Sequence, residues 1–303
     1  MRVHRSPLLF LCLGFGAVCA TLLAQEPLPP VYFNHITIFL SPAAYAAIRE
    51  SPFLQNEFSA FHERTVQRDG GKWSYTGIFI TGQHTYLEFF QAGQGAPFGT
   101  TIAGQIVFNM WIDDRTQLPR FRDRLAAESS ATLLIDTARN AQNATTYDAV
   151  VSPGGPASDF GLNLRVDTYI KGYYPDGITR EKRIGEGFRA ERQLHDITGF
   201  TLTVDEQERR RLIQQFRAYS YHMNTEGANQ IVSGPEITFT FVRAKLNAPR
   251  TLTIDFSVNH STSGERTDRL GEGGDIQLKV ALGPGCLLSQ TPRERGRINS
   301  FLP

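Results

Sequence analysis

The sequence predicts an α+β protein in which a strand–helix–strand unit is repeated and the strands form curved mixed sheets. Three observations support this prediction. Residues 34–40 are rich in β-branched and aromatic side chains, a helix start follows at Ser41, and a comparable strand and helix recur over residues 199–219. Repetition of a unit of this size indicates a fold assembled from modules.

The first unit begins with the strand at residues 34–40 and continues into a helix. Ser41 stands where an N-cap side chain belongs, and Pro42 occupies the first helical position. Residues 75–80 and 85–90 then read as two strands joined by a turn at Gly82. We therefore expect a first module within residues 25–100.

The second clear unit lies within residues 194–262. A strand at residues 199–204 is followed by Asp205 at an N-cap position and Glu208 three residues later, the spacing of a capping box. Leu212 and Phe216 belong to the apolar stripe of the helix that follows. Residues 236–241 and 251–256 are expected to complete the module as strands.

The remaining segments are less regular. Residues 101–193 form an irregular middle module, with a strand at 104–111, a helix through Phe121 and Leu125, and a largely loop segment at 140–159. A further strand is predicted at residues 162–169. Residues 263–303 contain a strand at 276–282, and the tail after Pro284 is expected to be loosely ordered.

The N-terminus has the pattern of a cleaved signal peptide. Arg2 and Arg5 precede a segment without charge from Leu8 to Ala24, and small residues near Ala24 mark cleavage. A retained anchor is the alternative, but this uncharged run is at the short limit for a membrane span. We expect residues 1–24 to be removed and the mature protein to be secreted or periplasmic, without a stable membrane anchor.

Charge and cysteine content narrow the partners of the mature chain. The sequence has 31 basic and 30 acidic residues, so loss of Arg2 and Arg5 turns a net charge of +1 into −1. Neither nucleic acid nor an anionic membrane is favoured by this balance. Cys12 and Cys19 lie in the leader, which leaves Cys286 without an internal disulfide partner.

Strand alternation divides each strand into an apolar and a polar face. His35, Thr37 and Phe39 share one side of their strand, and Glu88 lies between Tyr86 and Phe90 on its own. If the helices cover the apolar faces, the polar faces of a curved sheet line a cup, which is the shape of a ligand site. Four aromatic residues are expected to form its pocket walls: Phe39, Tyr86, Phe90 and Trp111.

The order of strand, helix and strands, with Asn34-His35-Ile36 opening a unit and residues 85–90 closing it, resembles the βαβββ module of the vicinal-oxygen-chelate superfamily, the glyoxalase and bleomycin-resistance fold. The first unit is most similar to a glyoxalase-like family of unknown function. The likeness is good over residues 31–92, fair over 194–260 and faint between them. It implies paired glyoxalase-like modules, within one chain or between the two chains of a homodimer.

The resemblance implies a divalent metal held by residues of two modules. His35 and Glu88 match the ligands of the first module, and Gln105 stands where the first-strand ligand of the second would lie. The fourth ligand is Asp255, or alternatively Asp167. Such a set suits Mn, Mg, Fe(II) or Ni, and Zn only weakly. The alternative is structural: His35 forms a hydrogen bond within the sheet and Glu88 is solvated.

Three functions remain open from the sequence. The first is a metal-dependent lyase, isomerase or oxygenase acting on a small oxygen-bearing molecule. Export argues against the thiol-dependent activities of the superfamily, and Gln105 stands where ring-cleaving dioxygenases need a histidine. The second is a metal-free module that binds a small molecule. The third is a non-catalytic interaction protein of the cell envelope.

Overall fold

The structure is a computed structural model of the 303-residue chain. It describes residues 27–94, 101–129, 132–143, 145–151, 162–169, 184–185, 187–244, 251–259, 264–270, 276–282 and 295–301. The predicted leader at residues 1–24 and Cys286 lie outside the described residues.

Sixteen strands and three α-helices account for most of the described residues. In the first half of the chain they are β1 (Tyr32–Leu40), α1 (Pro42–Glu50), β2 (Ala60–Arg68), β3 (Trp73–Thr81), β4 (Tyr86–Gln91), β5 (Ile106–Trp111), α2 (Leu118–Ser129), β6 (Leu134–Arg139), β7 (Thr145–Val151) and β8 (Leu162–Tyr169). In the second half they are β9 (Leu194–Val204), α3 (Glu206–Ala218), β10 (His222–Glu226), β11 (Asn229–Ser233), β12 (Thr238–Arg243), β13 (Thr251–Val258), β14 (Gly264–Leu270), β15 (Ile276–Leu282) and β16 (Arg295–Phe301).

The strands form two mixed sheets of eight strands each. Their orders are β2-β3-β4-β1-β5-β8-β7-β6 and β10-β11-β12-β9-β13-β16-β15-β14. Each sheet joins two modules side by side, and three of the four modules have the order βαβββ. The fourth consists of β13, β14, β15 and β16, and residues 260–263 between its first two strands lie outside the described residues. The predicted α+β class with repeated βαβββ modules is confirmed.

The predicted caps begin two of the helices. Ser41 Oγ accepts a hydrogen bond from the Ala44 backbone N–H at 3.2 Å at the start of α1. Asp205 and Glu208 form both bonds of a capping box at the start of α3, with donor–acceptor distances of 2.8 and 3.3 Å. These bonds satisfy N–H groups that the first helical turn leaves without partners.

Three local predictions were wrong. β7 lies inside residues 140–159, which were expected to be mostly loop, and β16 lies in the tail expected to be loosely ordered. Residues 251–256 do not close the third module; they belong to β13, which opens the fourth. β13 pairs with β9 and with β16, distant segments that local composition does not reveal, whereas β7 pairs with its chain neighbours β6 and β8 despite its turn-rich surroundings.

The apolar faces of the two sheets pack against each other around an aromatic core. The Phe200 ring lies 5.1 Å from Phe33 and 5.0 Å from Phe108 between centroids, and Phe239 lies 5.3 Å from Phe108. Helices α2 and α3 meet within the same layer. Since the apolar faces point inward, the polar faces of the two sheets lie on opposite sides of the molecule.

A polar contact ties the β3–β4 turn of the first sheet to β9 of the second. Asp196 accepts hydrogen bonds from the His84 backbone N–H at 3.2 Å and from the Thr85 hydroxyl, and its carboxylate lies 2.8 Å from His84 Nδ1. The Gln83 N–H donates to the His195 carbonyl at 2.8 Å. These bonds fix the relative position of the two sheets at this end.

The first sheet curls until its two edge strands touch. Arg68 at the end of β2 pairs with Asn140 just after β6, and the Gly70 N–H donates to the Asn140 carbonyl at 3.1 Å. The Arg68 side chain donates to the Tyr75 and Thr146 hydroxyls, each at 3.1 Å. We call the enclosed polar face of this sheet the cup.

In the described part of the chain, no helix has both the length and the apolar character needed to cross a membrane.

Candidate functional site

His35 and Glu88 meet in the cup because their strands are neighbours. β1 and β4 run parallel, with His35 beside Tyr86 and Thr37 beside Glu88. His35 Nε2 lies 3.3 Å from Glu88 Oε2, and the Thr37 hydroxyl donates to the same oxygen at 2.7 Å. Both residues are buried, with 7% of His35 and 8% of Glu88 exposed.

The imidazole of His35 is held from both sides. Its Nδ1 lies 2.5 Å from the Asn34 amide oxygen, and its ring stacks on Tyr86 at 4.2 Å between centroids and 14° between planes. Each ring nitrogen therefore faces an oxygen acceptor, Asn34 on one side and Glu88 on the other. These two oxygens fix the orientation of the ring in the cup.

Asn109 is the site residue that the sequence reasoning did not select. It stands opposite His35 in the antiparallel β1–β5 pair and is 1% exposed. Its amide nitrogen donates to the Thr37 hydroxyl at 3.2 Å, which continues the chain of donors to Glu88. Its amide oxygen is buried and has no hydrogen-bond partner among the described residues. Alternation places Asn109 on this face, but only the strand register places it beside His35.

The carboxyl of Glu88 is held in its charged form. Burial by itself raises the pKa of this group, but the hydrogen bonds and positive charge of its neighbours outweigh that effect and lower the pKa below its ordinary value of 4.5. His35 contributes most to the lowering, followed by the Thr37 hydroxyl and the charge of Arg64. Glu88 is therefore a buried carboxylate at neutral pH.

An aromatic cluster fills the base of the cup. Phe90 lies 5.7 Å from Phe39 and 5.2 Å from Tyr75 between ring centroids. A Cβ on Gly77 would lie 2.3 Å from the Phe90 ring, so only glycine leaves room for this packing. The buried members of the cluster are Phe39, Tyr75, Phe79, Phe90 and Val107.

The four predicted pocket residues have different surroundings. Phe39 and Phe90 are each only 1% exposed, so they fill the base instead of lining an open wall. Trp111 is also buried, and its indole N–H donates to Asp113 at 2.6 Å. Tyr86 alone of the four is partly exposed, and it pairs with His35 in the β1–β4 register.

The structure does not bring the other predicted metal ligands to His35 and Glu88. The Phe39 N–H donates to the Gln105 carbonyl at 2.9 Å, and Gln105 stands four positions before Asn109, about 13 Å along a strand. Asp255 pairs with Gly199 in the second sheet. Its neighbours Ile254 and Phe256 point into the core, so Asp255 points to the other face of the sheet. It therefore lies on the far side of the molecule from the cup.

The alternative ligand, Asp167, lies in β8 beside Trp111 of β5. Within the residues whose side chains are described, no three His, Cys, Asp or Glu residues are close enough to hold a metal ion together. Catalytic metal sites commonly use three protein ligands. With Gln105 and Asp255 elsewhere, His35 and Glu88 supply two, so the predicted four-residue set does not fit a divalent metal.

Basic side chains lie at the mouth of the cup. The guanidinium carbon of Arg64 lies 4.2 Å above the centre of the Phe79 ring, and Phe79 pairs with Glu88 in the β3–β4 register. His62, two residues earlier in β2, has a lowered pKa, first because of burial and then because of the positive charges of Arg189 and Arg64. Both His62 and Arg64 are exposed.

Residues 33–279 match the model of a family of unknown function, DUF5829. The chain belongs to this family. The match spans the first three modules and part of the fourth, so it includes the cup and most of the second sheet but not β16. No curated protein matches the chain.

Several solved structures are similar in outline. A hypothetical protein from Staphylococcus aureus matches with a TM-score of 0.49 and 10% identity, over 71% of this chain and 86% of that one. A mutant of 4-hydroxymandelate synthase from Streptomyces coelicolor matches with a TM-score of 0.40 and 16% identity, over 71% and 63% of the two chains. A halotolerant catechol dioxygenase, BphC, matches with a TM-score of 0.36 and 10% identity, over 73% and 67%. These likenesses assign no activity to this chain.

Proposed function

We propose that the cup of the first sheet binds a small organic molecule and that the protein acts as a metal-free binding module. The observation that carries this proposal is the buried His35–Glu88 pair, which lies beside the partly exposed Tyr86 and above an aromatic base. An apolar concave site with a few fixed polar groups is typical of small-molecule recognition.

The fold itself does not require this pair. In the second sheet, Gly199 takes the position of His35 relative to the following helix, and Thr240 takes that of Glu88. That sheet forms the same strand order without an imidazole or a carboxylate at these two positions. Because burying a carboxylate and an imidazole costs free energy, a role in ligand binding accounts for their presence better than packing does.

The proposal is tested by ligand-induced thermal stabilisation. Purified protein would be heated with a panel of small planar molecules, and molecules that co-purify would be extracted and identified by mass spectrometry. We expect a subset of these molecules to raise the melting temperature of the native protein. The rise should be smaller in Tyr86→Ala and Glu88→Gln and unchanged in the matched control Thr240→Ala. Equal stabilisation of all variants, or none of the native protein, would contradict the proposal.

The metal-dependent lyase, isomerase or oxygenase predicted from the resemblance is the competing function. One observation favours it: His35 Nδ1 faces the side-chain amide oxygen of Asn34, and metal-binding histidines commonly donate their second N–H to an oxygen acceptor. Elemental analysis of protein purified without chelator separates the two functions. If the native protein contains stoichiometric metal and both His35→Ala and Glu88→Ala lose it, the metal-dependent function is supported and the metal-free binding module is rejected.

We also infer that the protein works outside the cytoplasm, and the charge pattern of residues 1–24 supports this. The mass of the protein recovered from the periplasm or medium tests the inference. We expect the chain to start between Thr21 and Gln25. A chain that retains Met1 and stays in the cytosol would exclude export.

A further inference from the structure

Arg64 has a geometry that the cup alone does not explain. Its guanidinium stacks on Phe79, yet it forms no ion pair with any described carboxylate. Stacking fixes the plane of the guanidinium without using its N–H donors. Arg64 thus presents oriented donors, unused by any residue that the structure describes, at the exposed mouth of the site.

The surrounding charge favours an anion at this place. Glu88 is the nearby carboxylate, but it is buried and already bonded to His35 and Thr37. His62 lies on the same side of β2 as Arg64, and Gly187 packs against Thr81 at the end of β3, which brings the segment containing Arg189 to this rim. The mouth therefore combines the guanidinium groups of Arg64 and Arg189 with a buried carboxylate that is already engaged by His35 and Thr37.

Four planar groups lie in a row beside Glu88, with Arg64 and Tyr86 accessible and Phe79 and His35 buried. Arg64 lies 4.2 Å above Phe79, the Phe79 and Tyr86 rings are 6.4 Å apart, and Tyr86 is stacked at 4.2 Å on His35. We call these four residues the planar wall. A flat ligand body can lie along this wall while an acidic group at its edge reaches Arg64.

We propose that the ligand of the cup is a planar organic acid whose carboxylate pairs with the guanidinium of Arg64 and whose body lies against Tyr86. This inference rests on the proposed binding function and specifies its ligand class. A guanidinium with two parallel N–H groups matches the two oxygens of a carboxylate, and such bidentate pairs are stronger than neutral hydrogen bonds. A primary amide of the same shape offers only one oxygen and no charge.

The test uses matched pairs of planar aromatic acids and their primary amides, beginning with benzoate and benzamide. Binding is measured by calorimetry for the native protein, Arg64→Ala and Arg64→Lys. Arg122→Ala is the control, because Arg122 is a partly exposed arginine on α2 that pairs with Asp123. We expect the acids to bind at least about tenfold more tightly than their amides, the range of one charge-assisted pair.

The preference for acids should disappear in Arg64→Ala, be partly kept in Arg64→Lys and be unchanged in Arg122→Ala. Amides that bind as tightly as their acids, or an acid preference that survives Arg64→Ala, would overturn the anion inference and leave the binding function intact. If neither acids, amides nor the wider panel bind, both the inference and the proposed function fail. A folded Arg64→Ala protein is verified by its unchanged melting temperature without ligand.

Discussion

The polar faces of the two sheets share a strand order and a register but not their chemistry. Around the first strand of each sheet, the first face carries His35 and Glu88 where the second carries Gly199 and Thr240. Asn109, opposite His35, corresponds to Asp255, opposite Gly199. One architecture therefore supports a buried His–Glu contact on one side and none at the matching positions on the other, so the two faces differ in the side chains placed on the fold and not in the fold itself.

The two faces also differ in how they are closed. Phe39 and Phe90 of the first face correspond to Thr203 and Val242 of the second, which are partly exposed. Thr203 bonds to Thr251 across the strands at 2.6 Å, in place of aromatic packing. The aromatic base makes the first face a packed surface on which a polar pair can be held in a fixed position.

The largest effect is expected from the base of the cup. Phe90→Ala should lower the free energy of unfolding by about 3–5 kcal/mol, because it removes a buried ring and leaves a cavity. The matched change on the second face, Val242→Ala, should cost less than about 1.5 kcal/mol, since Val242 is partly exposed. Urea unfolding of both variants checks this difference. Equal losses would show that both faces are packed alike.

Gly77→Ala should cost about 1–3 kcal/mol, because its Cβ would lie 2.3 Å from the buried Phe90 ring. Gly199→Ala on the second face should cost less, since the nearest atom to its Cβ, the Thr238 carbonyl oxygen, is 3.1 Å away. The same unfolding measurement compares the two. A larger loss of unfolding free energy for Gly199→Ala than for Gly77→Ala would show that the second face is the more tightly packed one.

Glu88→Gln should lower the free energy of unfolding by about 1–3 kcal/mol at pH 7, because the hydrogen bonds from His35 and Thr37 lose their charged acceptor. The folded-state pKa of Glu88 is lowered, so this stabilisation is complete well above pH 4.5 and is lost as the pH falls through the lower folded value. Native and variant stabilities should therefore converge at low pH. The change Thr240→Ala, at the matching position, should have the same effect at pH 7 and pH 3.5, because a hydroxyl does not titrate there.

The smallest effect is expected for Thr203→Val, which removes the bond to Thr251 but keeps a branched side chain on a partly exposed surface. We expect a loss of about 0.5 kcal/mol. Thermal unfolding of Thr203→Val, Thr251→Val and the double variant tests this. If the two hydroxyls form one bond, the double variant should lose no more free energy of unfolding than either single variant. Additive losses would show that the two hydroxyls act independently.

The sequence by itself determined the local features of this protein. The N-caps at Ser41 and Asp205 and the alternation of His35, Thr37 and Phe39 depend on neighbours in the chain, so they identified helix starts and the polar side of β1. The same alternation put Glu88 on the matching side of β4. A buried His35–Glu88 pair then follows once the two strands are adjacent.

Tertiary structure alone decided which residues join that pair. The antiparallel register of β1 and β5 brings Asn109 to His35 and leaves Gln105 beside Phe39. The pairing of β13 with β9 carries Asp255 into the second sheet, and inward packing of the apolar faces turns it away from the cup. Register and sheet membership depend on hydrogen bonds and packing between distant segments, which no local pattern contains.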